Sequence, residues 1–156
     1  MIEPGFALQA LIGDRLAADP DITARVNPLN IRAGMIRPDQ MPAIVLAPAR
    51  VRFLGHAAGG QIMAEVRLLL HVWALEDGAQ AQAVAGAVMR AMMDAPEAEG
   101  FDIDAWARPE LMWMRDPDPA RAHTQGVIAL TAAEIAAATR GTLISSTPSR
   151  RRGSST

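Results

Sequence analysis

Alternating positions along residues 62–74 divide a predicted strand into two unequal faces. The first face is apolar throughout and comprises Ile62, Ala64, Val66, Leu68, Leu70, Val72 and Ala74. Because successive side chains of a strand point to opposite faces, this set predicts the core side of a sheet. The second face mixes charged residues with Leu69 and Trp73, and so predicts a surface that the chain covers only in part.

Apolar residues at helical spacing predict two amphipathic helices. The first is marked by Phe6, Leu8, Leu11, Ile12 and Leu16, between Pro4-Gly5 and Asp19-Pro20. The second is marked by Ala81, Val84, Ala85, Val88, Met89 and Met92. Asp77 is the predicted N-cap of this second helix, since its carboxylate can accept hydrogen bonds from the unpaired amides of the first turn.

Three further strands complete the predicted sheet. Residues 43–54 form the first, with Pro48 indicating an edge strand or a bulge because it has no N–H to donate. Residues 110–116 and 126–138 form the other two, although the alanine-rich segment 126–138 could be helical in part. Residues 27–42 read as an extended loop and residues 97–109 as an irregular acidic segment.

This element order, α-β-β-α-β-β, predicts one α+β domain over residues 1–140. Its simplest architecture is two-layer, a four-stranded mostly antiparallel sheet with two helices on one face. Residues 141–156 form a Ser/Thr/Arg-rich, low-complexity tail with arginines at Arg150, Arg151 and Arg152.

Composition removes several classes of chemistry. The absence of cysteine excludes thiolate catalysis, Cys zinc sites and disulfides. The first serine is Ser145, so most serine hydrolase templates are excluded as well. The chain starts without a recognisable signal peptide and has no long apolar run, so neither a leader nor a membrane span is expected.

Charge is distributed unevenly along the chain. All 15 basic residues are arginine, and three of them lie in the tail. Residues 1–140 therefore carry 12 arginines and 17 acidic residues, which gives a net charge of −5. We therefore expect the folded part to repel a phosphate backbone. The tail could bind an acidic partner or nucleic acid, or it could be a solubilising end, which we prefer.

Candidate sites for chemistry are few. His71, with Glu65 and Arg67 on the same strand face, is the one catalytic or small-molecule site that the sequence allows, and an interfacial or hydrogen-bonded histidine is preferred. The histidines His56, His71 and His123 lack a short metal-binding spacing. We accordingly expect no catalytic residue, no metal and no cofactor.

Acidic and aromatic residues outside that face have structural interpretations too. The carboxylates of residues 97–104 and 116–118 read as solvated loop charge, since they lack the glycine and terminal glutamate of a calcium loop. Trp106 and Trp113 read as core or interface anchors, because few basic residues surround them for base stacking.

The layout itself resembles a known family. It comprises a leading helix with "LIGDRL", a loop ending in "MPAIVL", a second hairpin strand "VRLLLHVWA" and an Asp-led helix "EDGAQAQAVAGAVMRAM". Together these resemble the tail-completion, or tail terminator, and head-tail joining proteins of long-tailed phages and phage-like gene transfer particles. The resemblance covers residues 6–135.

The resemblance implies a structural ring subunit at the head-tail junction. The subunit would form a hexameric ring that caps the tail tube and joins it to the head-side connector, with DNA passing through the lumen without specific binding. It would act in a virion or phage-like particle assembled in the bacterial cytoplasm. Another connector ring, a stopper or adaptor, stays open, as does a binder or enzyme using Glu65, Arg67 and His71.

In such a ring, the second face of the strand would meet a neighbouring subunit or the tube. The predicted contact residues are Arg67, Leu69, His71, Trp73 and Leu75, with Arg150, Arg151 and Arg152 as a partner-contact tail. This hypothesis predicts that Trp73→Asp leaves a folded subunit that cannot assemble.

Overall fold

The computed structural model describes residues 3–34, 38–56, 58–74, 78–97, 99–115 and 124–136. Its helices are α1 (Pro4–Ala17), α2 (Pro20–Thr23) and α3 (Gly78–Ala91). Its strands are β1 (Ile31–Ala33), β2 (Ala43–Leu46), β3 (Arg50–His56), β4 (Ile62–Ala74), β5 (Phe101–Trp106), β6 (Glu110–Arg115) and β7 (Thr124–Ala136). The α+β class is confirmed.

The two long strands, β4 and β7, form the centre of the sheet. They pair antiparallel along their whole length, from Ile62↔Ala136 to Ala74↔Thr124. The other edge of β4 is shared by β2 and β3, and β1 continues the sheet beyond β2 as a parallel neighbour. The other edge of β7 is shared by β5 and β6. The sheet is therefore mostly antiparallel, as predicted.

The alternation in β4 correctly identified the core side. All of the predicted core-face residues from Ala64 to Ala74 have no exposed surface, whereas Ile62 at the strand end is half-buried. Side chains from α1 and α3, including Leu8, Ile12 and Val84, join Leu68 in one hydrophobic cluster. Both long helices thus pack on the core side of the sheet.

Local signals explain where α1 begins and how closely it packs. The carboxylate of Glu3 caps the helix by accepting hydrogen bonds from the amides of Gly5 and Phe6, at 2.9 and 2.8 Å. A Cβ added at Gly5 would lie 2.8 Å from Cγ2 of Val51, so glycine allows the helix to approach β3. Phe6, which belonged to the predicted apolar stripe, is instead 72% exposed.

The four-stranded arrangement was wrong, and Pro48 gives the first reason. The predicted strand over residues 43–54 divides at Ala47–Ala49 into β2 and β3, because proline has no N–H for the ladder. The side-chain amide of Gln9 on α1 donates to the carbonyls of Leu46 and Ala47, at 3.1 and 3.0 Å. The break is therefore stabilised by two hydrogen bonds from the helix layer.

Two segments predicted to be irregular also contain strands. The loop over residues 27–42 includes β1, whose pairing partner β2 is supplied from elsewhere in the chain. The acidic segment includes β5, in which Phe101 and Ile103 alternate with Asp102 and Asp104. The surrounding charged residues obscured this period-two pattern in the sequence. The strand can contain them because strands on a sheet edge tolerate polar residues.

Several predictions fall on residues outside the described ranges. They concern the N-cap Asp77, the contact residue Leu75, the carboxylates of residues 116–118, His123 and the tail of residues 141–156 with its three arginines. Among the described helices, none has the length and apolarity needed to cross a bilayer.

Candidate interaction surface

The sheet face opposite the helices, here called the outer face, carries the predicted contact residues. Directly paired residues of neighbouring strands share a face, so the register defines three rows across β4, β7 and β6. These rows are Leu69–Ala129–Glu110, His71–Val127–Met112 and Trp73–Gln125–Met114. The β4 residues of these rows are predicted contact residues. The β6 residues lie on the same face, on the other side of β7.

An apolar strip lies exposed within these rows. It consists of Leu69, Met112 and Met114, which are 42%, 67% and 49% exposed. Val127 and Ala129 lie between them and are half-buried. Large apolar side chains that share one sheet face in this way are typical of a surface that a partner covers.

The expectation that Trp73 lies bare on this face is wrong. Its side chain is 8% exposed, and its β2 neighbours Ala43 and Val45 are 0% and 4% exposed. Pro38 and Gln40, which precede β2, line a cleft together with Ala43, the residue that pairs with Trp73. One chain therefore covers Trp73 by itself, while Leu69 on the same strand and Met114 on β6 stay exposed.

His71 lies between these two ends and is held by a neighbour. The side-chain amide of Gln125 on β7 donates to Nδ1 of His71 at 2.7 Å. Nδ1 must then accept, which places the imidazole proton on Nε2 and leaves the ring neutral. Partial burial also lowers the pKa of His71 below its ordinary value of 6.5, because desolvation disfavours the charged ring.

This lowered pKa predicts a pH-dependent loss of stability. The unfolded chain binds a proton at His71 more readily than the folded chain does, so unfolding is favoured as pH falls. The contribution of His71 to stability is expected in full above pH 6.5 and to decrease below it, through the lower folded pKa. Urea unfolding of wild type and His71→Asn between about pH 5 and pH 8 checks this. Identical pH slopes in the two proteins would contradict it.

The alternative site of Glu65, Arg67 and His71 is only partly assembled. The Glu65 carboxylate accepts a hydrogen bond from Arg52 at 3.2 Å and forms an ion pair with Arg67 at 3.4 Å. These three residues and Arg50 line a groove of about 320 Å³. His71 lies six positions along β4 from Glu65, which is about 20 Å in an extended strand. The carboxylate and the imidazole therefore do not act on one substrate atom.

The tryptophans and potential metal ligands occupy separate places. Trp106 packs against the core and donates from Nε1 to the carbonyl of Met92 at 2.8 Å, which confirms its predicted anchoring role. Trp113 is 43% exposed, and its ring lies over Gly126 on the helix side of the sheet. Nowhere in the described ranges do histidines and carboxylates gather in a group that could hold a metal ion.

Sequence reasoning missed the contributions of β3 and β6 to the outer face. In β6, "ELMWMR" is apolar at both alternating sets, so its periodicity cannot identify the side on which Met112 and Met114 lie. In β3, Arg50 and Arg52 alternate with Val51. That pattern could have identified the arginine side as the exposed one.

Comparisons with known proteins agree with this architecture. The family model described as "Tail completion protein gp17" matches residues 10–134. A chain in the solved structure "Virion of native gene transfer agent (GTA) particle" superposes with a TM-score of 0.67 at 19% sequence identity, covering 86% of this chain and 99% of that one. At this identity the likeness concerns the fold. No curated protein matches the chain.

Proposed function

This chain belongs to the tail completion protein gp17 family of phage tail structural proteins, and from that premise we propose that it is a tail terminator. In this role it forms a hexameric ring that caps the tail tube and joins it to the head-side connector. The ring functions in a phage or phage-like particle and is assembled in the bacterial cytoplasm. The observation that carries the proposal is the exposed apolar strip of Leu69, Met112 and Met114 on the outer face.

An interaction role follows from the energetics of that strip. Fully burying one such side chain contributes about 1.5–3 kcal/mol, so covering three of them favours association. Isolated apolar residues are ordinary on a surface, but these three lie in adjacent rows of one sheet face. Arg67 and His71, from the predicted contact set, lie on the same face beside Leu69.

The charge of the folded part supports a channel that does not retain DNA. Residues 1–140 have a net charge of −5, so a ring of these subunits repels phosphate more than it attracts it. We propose no catalytic role, because the Glu65 carboxylate is already paired with Arg52 and Arg67 and lies far from His71.

The decisive experiment measures mass and capping together. The purified chain is analysed by native mass spectrometry and electron microscopy, alone and with tubes of the tail protein encoded beside it. We expect sixfold rings at tube ends. A chain that stays monomeric with tubes present and leaves their ends bare would refute the terminator role. Rings that bind the head connector and ignore the tubes would instead indicate a stopper or adaptor.

Changing the apolar strip should weaken assembly without unfolding the subunit. Met112→Asp places a carboxylate in the strip at a side chain that is 67% exposed. We expect ring formation or tube binding to weaken about ten- to hundredfold, since the burial of one apolar side chain is lost. Sedimentation of variants with tubes provides the measurement.

Phe6→Asp is the matched control for Met112→Asp. Phe6 is 72% exposed but belongs to α1, on the other layer of the domain. Both substitutions exchange one exposed apolar side chain for a carboxylate. If Phe6→Asp impairs assembly as much as Met112→Asp does, the outer face is not the interface.

A further inference from the structure

The two free edges of the sheet carry opposite charges. One edge, formed by β1 and β3, carries Arg32, Arg50 and Arg52. The opposite edge, formed by β5 and β6, carries Asp102, Asp104 and Glu110. No further strand pairs with either edge in the part of the chain that the structure describes. We call these the arginine edge and the carboxylate edge.

The register brings most of these charges to the outer face. Arg50 and Arg52 pair with Arg67 and Glu65, which belong to the outer set of β4. Arg32 pairs with Val45, which pairs with His71. The arginine edge therefore presents charge on the same side of the sheet as the apolar strip.

The carboxylate edge has the same orientation. Asp102 pairs with Ile135 of β7, which pairs with Met63 of the outer set of β4. Glu110 pairs with Ala129 of β7, which pairs with Leu69 of the same set. Asp104 lies at the β-bulge between Ile103 and Ala105. Opposite charges at the two edges of one face suit a head-to-tail contact, in which one surface of a subunit meets a different surface of the next.

Each edge keeps a net charge after the opposite charges near it in the same subunit are counted. Glu65 pairs with Arg52 and Arg67, and Asp39 lies in a cleft with Arg32. Arg50 has no ion pair with any described residue. The arginine edge, counted with Arg67, thus has four arginines against two carboxylates.

The carboxylate edge has the larger excess. Asp102, Asp104 and Glu110 are joined by Glu97 and Glu99, which precede β5, against Arg108 in the turn before β6 and Arg115 at the end of β6. Asp102 and Asp104 form no ion pair with described residues. Unpaired edge strands also present backbone N–H and C=O groups that another chain can bind.

We infer that the arginine edge of one copy binds the carboxylate edge of the next copy, so that the ring closes through a heterologous, charge-complementary contact. This inference rests on the proposed ring and assigns its subunit interface. A second copy is the partner that fits, because the chain supplies both complementary surfaces and no other source of either is required. Met112 and Met114, on the carboxylate edge, lie where the incoming subunit would cover them.

Charge reversal at one residue of each edge provides the test. Arg50→Glu is suited to it because the substitution places a carboxylate opposite Arg67 and relieves a pair of like charges. Asp102→Arg reverses the other edge at an exposed position. We expect each variant alone to associate roughly tenfold more weakly than wild type, since like charges then meet at every contact.

Two combinations should restore the ring. In the double variant Arg50→Glu/Asp102→Arg, each contact again joins opposite charges. An equimolar mixture of the two single variants should also assemble, because every contact of an alternating ring is then complementary, and only even-numbered rings can alternate throughout. Native mass spectrometry resolves the alternating composition by mass.

Salt and a control variant separate this effect from general charge. Wild-type assembly should weaken from about 0.05 M to about 0.5 M salt, as exposed charge pairs are screened. Asp14→Arg makes the same charge change on α1, where Asp14 is exposed, and should assemble as wild type does.

The outcomes distinguish this inference from the proposed function. Wild-type rings that persist in both single variants overturn the edge contact and leave the ring role intact. Single variants that fail with no recovery in the double variant or the mixture also overturn it, and indicate that another protein binds one edge. A wild-type chain that forms no ring with or without tubes removes the proposed function as well.

Discussion

Replacement of Trp73 by aspartate is expected to lower the free energy of unfolding by about 4 kcal/mol or more. Truncation of a buried tryptophan alone costs about 3–5 kcal/mol, and the new carboxylate would replace a side chain that is 8% exposed. Since small domains are stable by only about 5–15 kcal/mol, this loss removes a large share of the stability. Urea unfolding followed by circular dichroism measures the loss. This result reverses the expectation, drawn from the sequence, of a folded subunit that cannot assemble.

Leu69→Asp is the matched control for this prediction. Leu69 lies on the same face of the same strand, four residues earlier, but its side chain is 42% exposed. We expect a stability change within about 1 kcal/mol, as for most surface substitutions, together with weaker assembly. If Trp73→Asp remains as stable as wild type while Leu69→Asp unfolds, the division of the outer face into covered and open parts is incorrect.

The contrast between Leu69 and Trp73 shows how far strand periodicity reaches. Alternation correctly separated the core set of β4 from the outer set, because successive side chains point to opposite sides whatever surrounds them. It could not determine which outer residues are covered. That depends on contacts with parts of the chain distant from β4 in sequence, such as β2, whose Ala43 pairs with Trp73.

The missing strands have the same explanation. β1 and β5 are short edge strands whose hydrogen-bond partners lie 13 or more residues away along the chain, outside the local pattern. Local composition argued against them, since Asp102 and Asp104 make one look like an acidic loop. The charge difference between the two edges was equally hidden, because it emerges only when β3 and β5 are brought to opposite sides of the β4–β7 pair.

The family resemblance succeeded where local patterns were ambiguous. It covered residues 6–135, and the family model matches residues 10–134. The resemblance rested on the order of helices and strands around β4. That order could be recognised because these segments have the strongest hydrophobic periodicity in the chain. The resemblance did not depend on the strand count, so the error of four strands rather than seven left the family assignment unaffected.

Trp106→Ala should also be strongly destabilising, by about 3 kcal/mol. Its ring packs against the core, and its Nε1 donates to the carbonyl of Met92 at 2.8 Å. That carbonyl follows directly after the end of α3, where helix carbonyls lack partners within the helix. The substitution therefore removes packing against the core. It also takes the hydrogen-bond donor away from the carbonyl of Met92, a residue whose side chain is fully buried. Thermal and urea unfolding measure the effect.

Two further variants separate packing from hydrogen bonding at this position. Trp106→Phe keeps an aromatic ring but loses the donor, so we expect a cost of about 1–2 kcal/mol. Trp113→Ala removes a tryptophan that is 43% exposed, and its cost should be nearer 1 kcal/mol, since less of the ring is buried. If Trp106→Ala costs no more than Trp113→Ala, Trp106 does not fasten β5 to α3. The carboxylate edge would then lack the rigid support that a specific subunit contact requires, because Asp102 and Asp104 lie on the same short strand as Trp106.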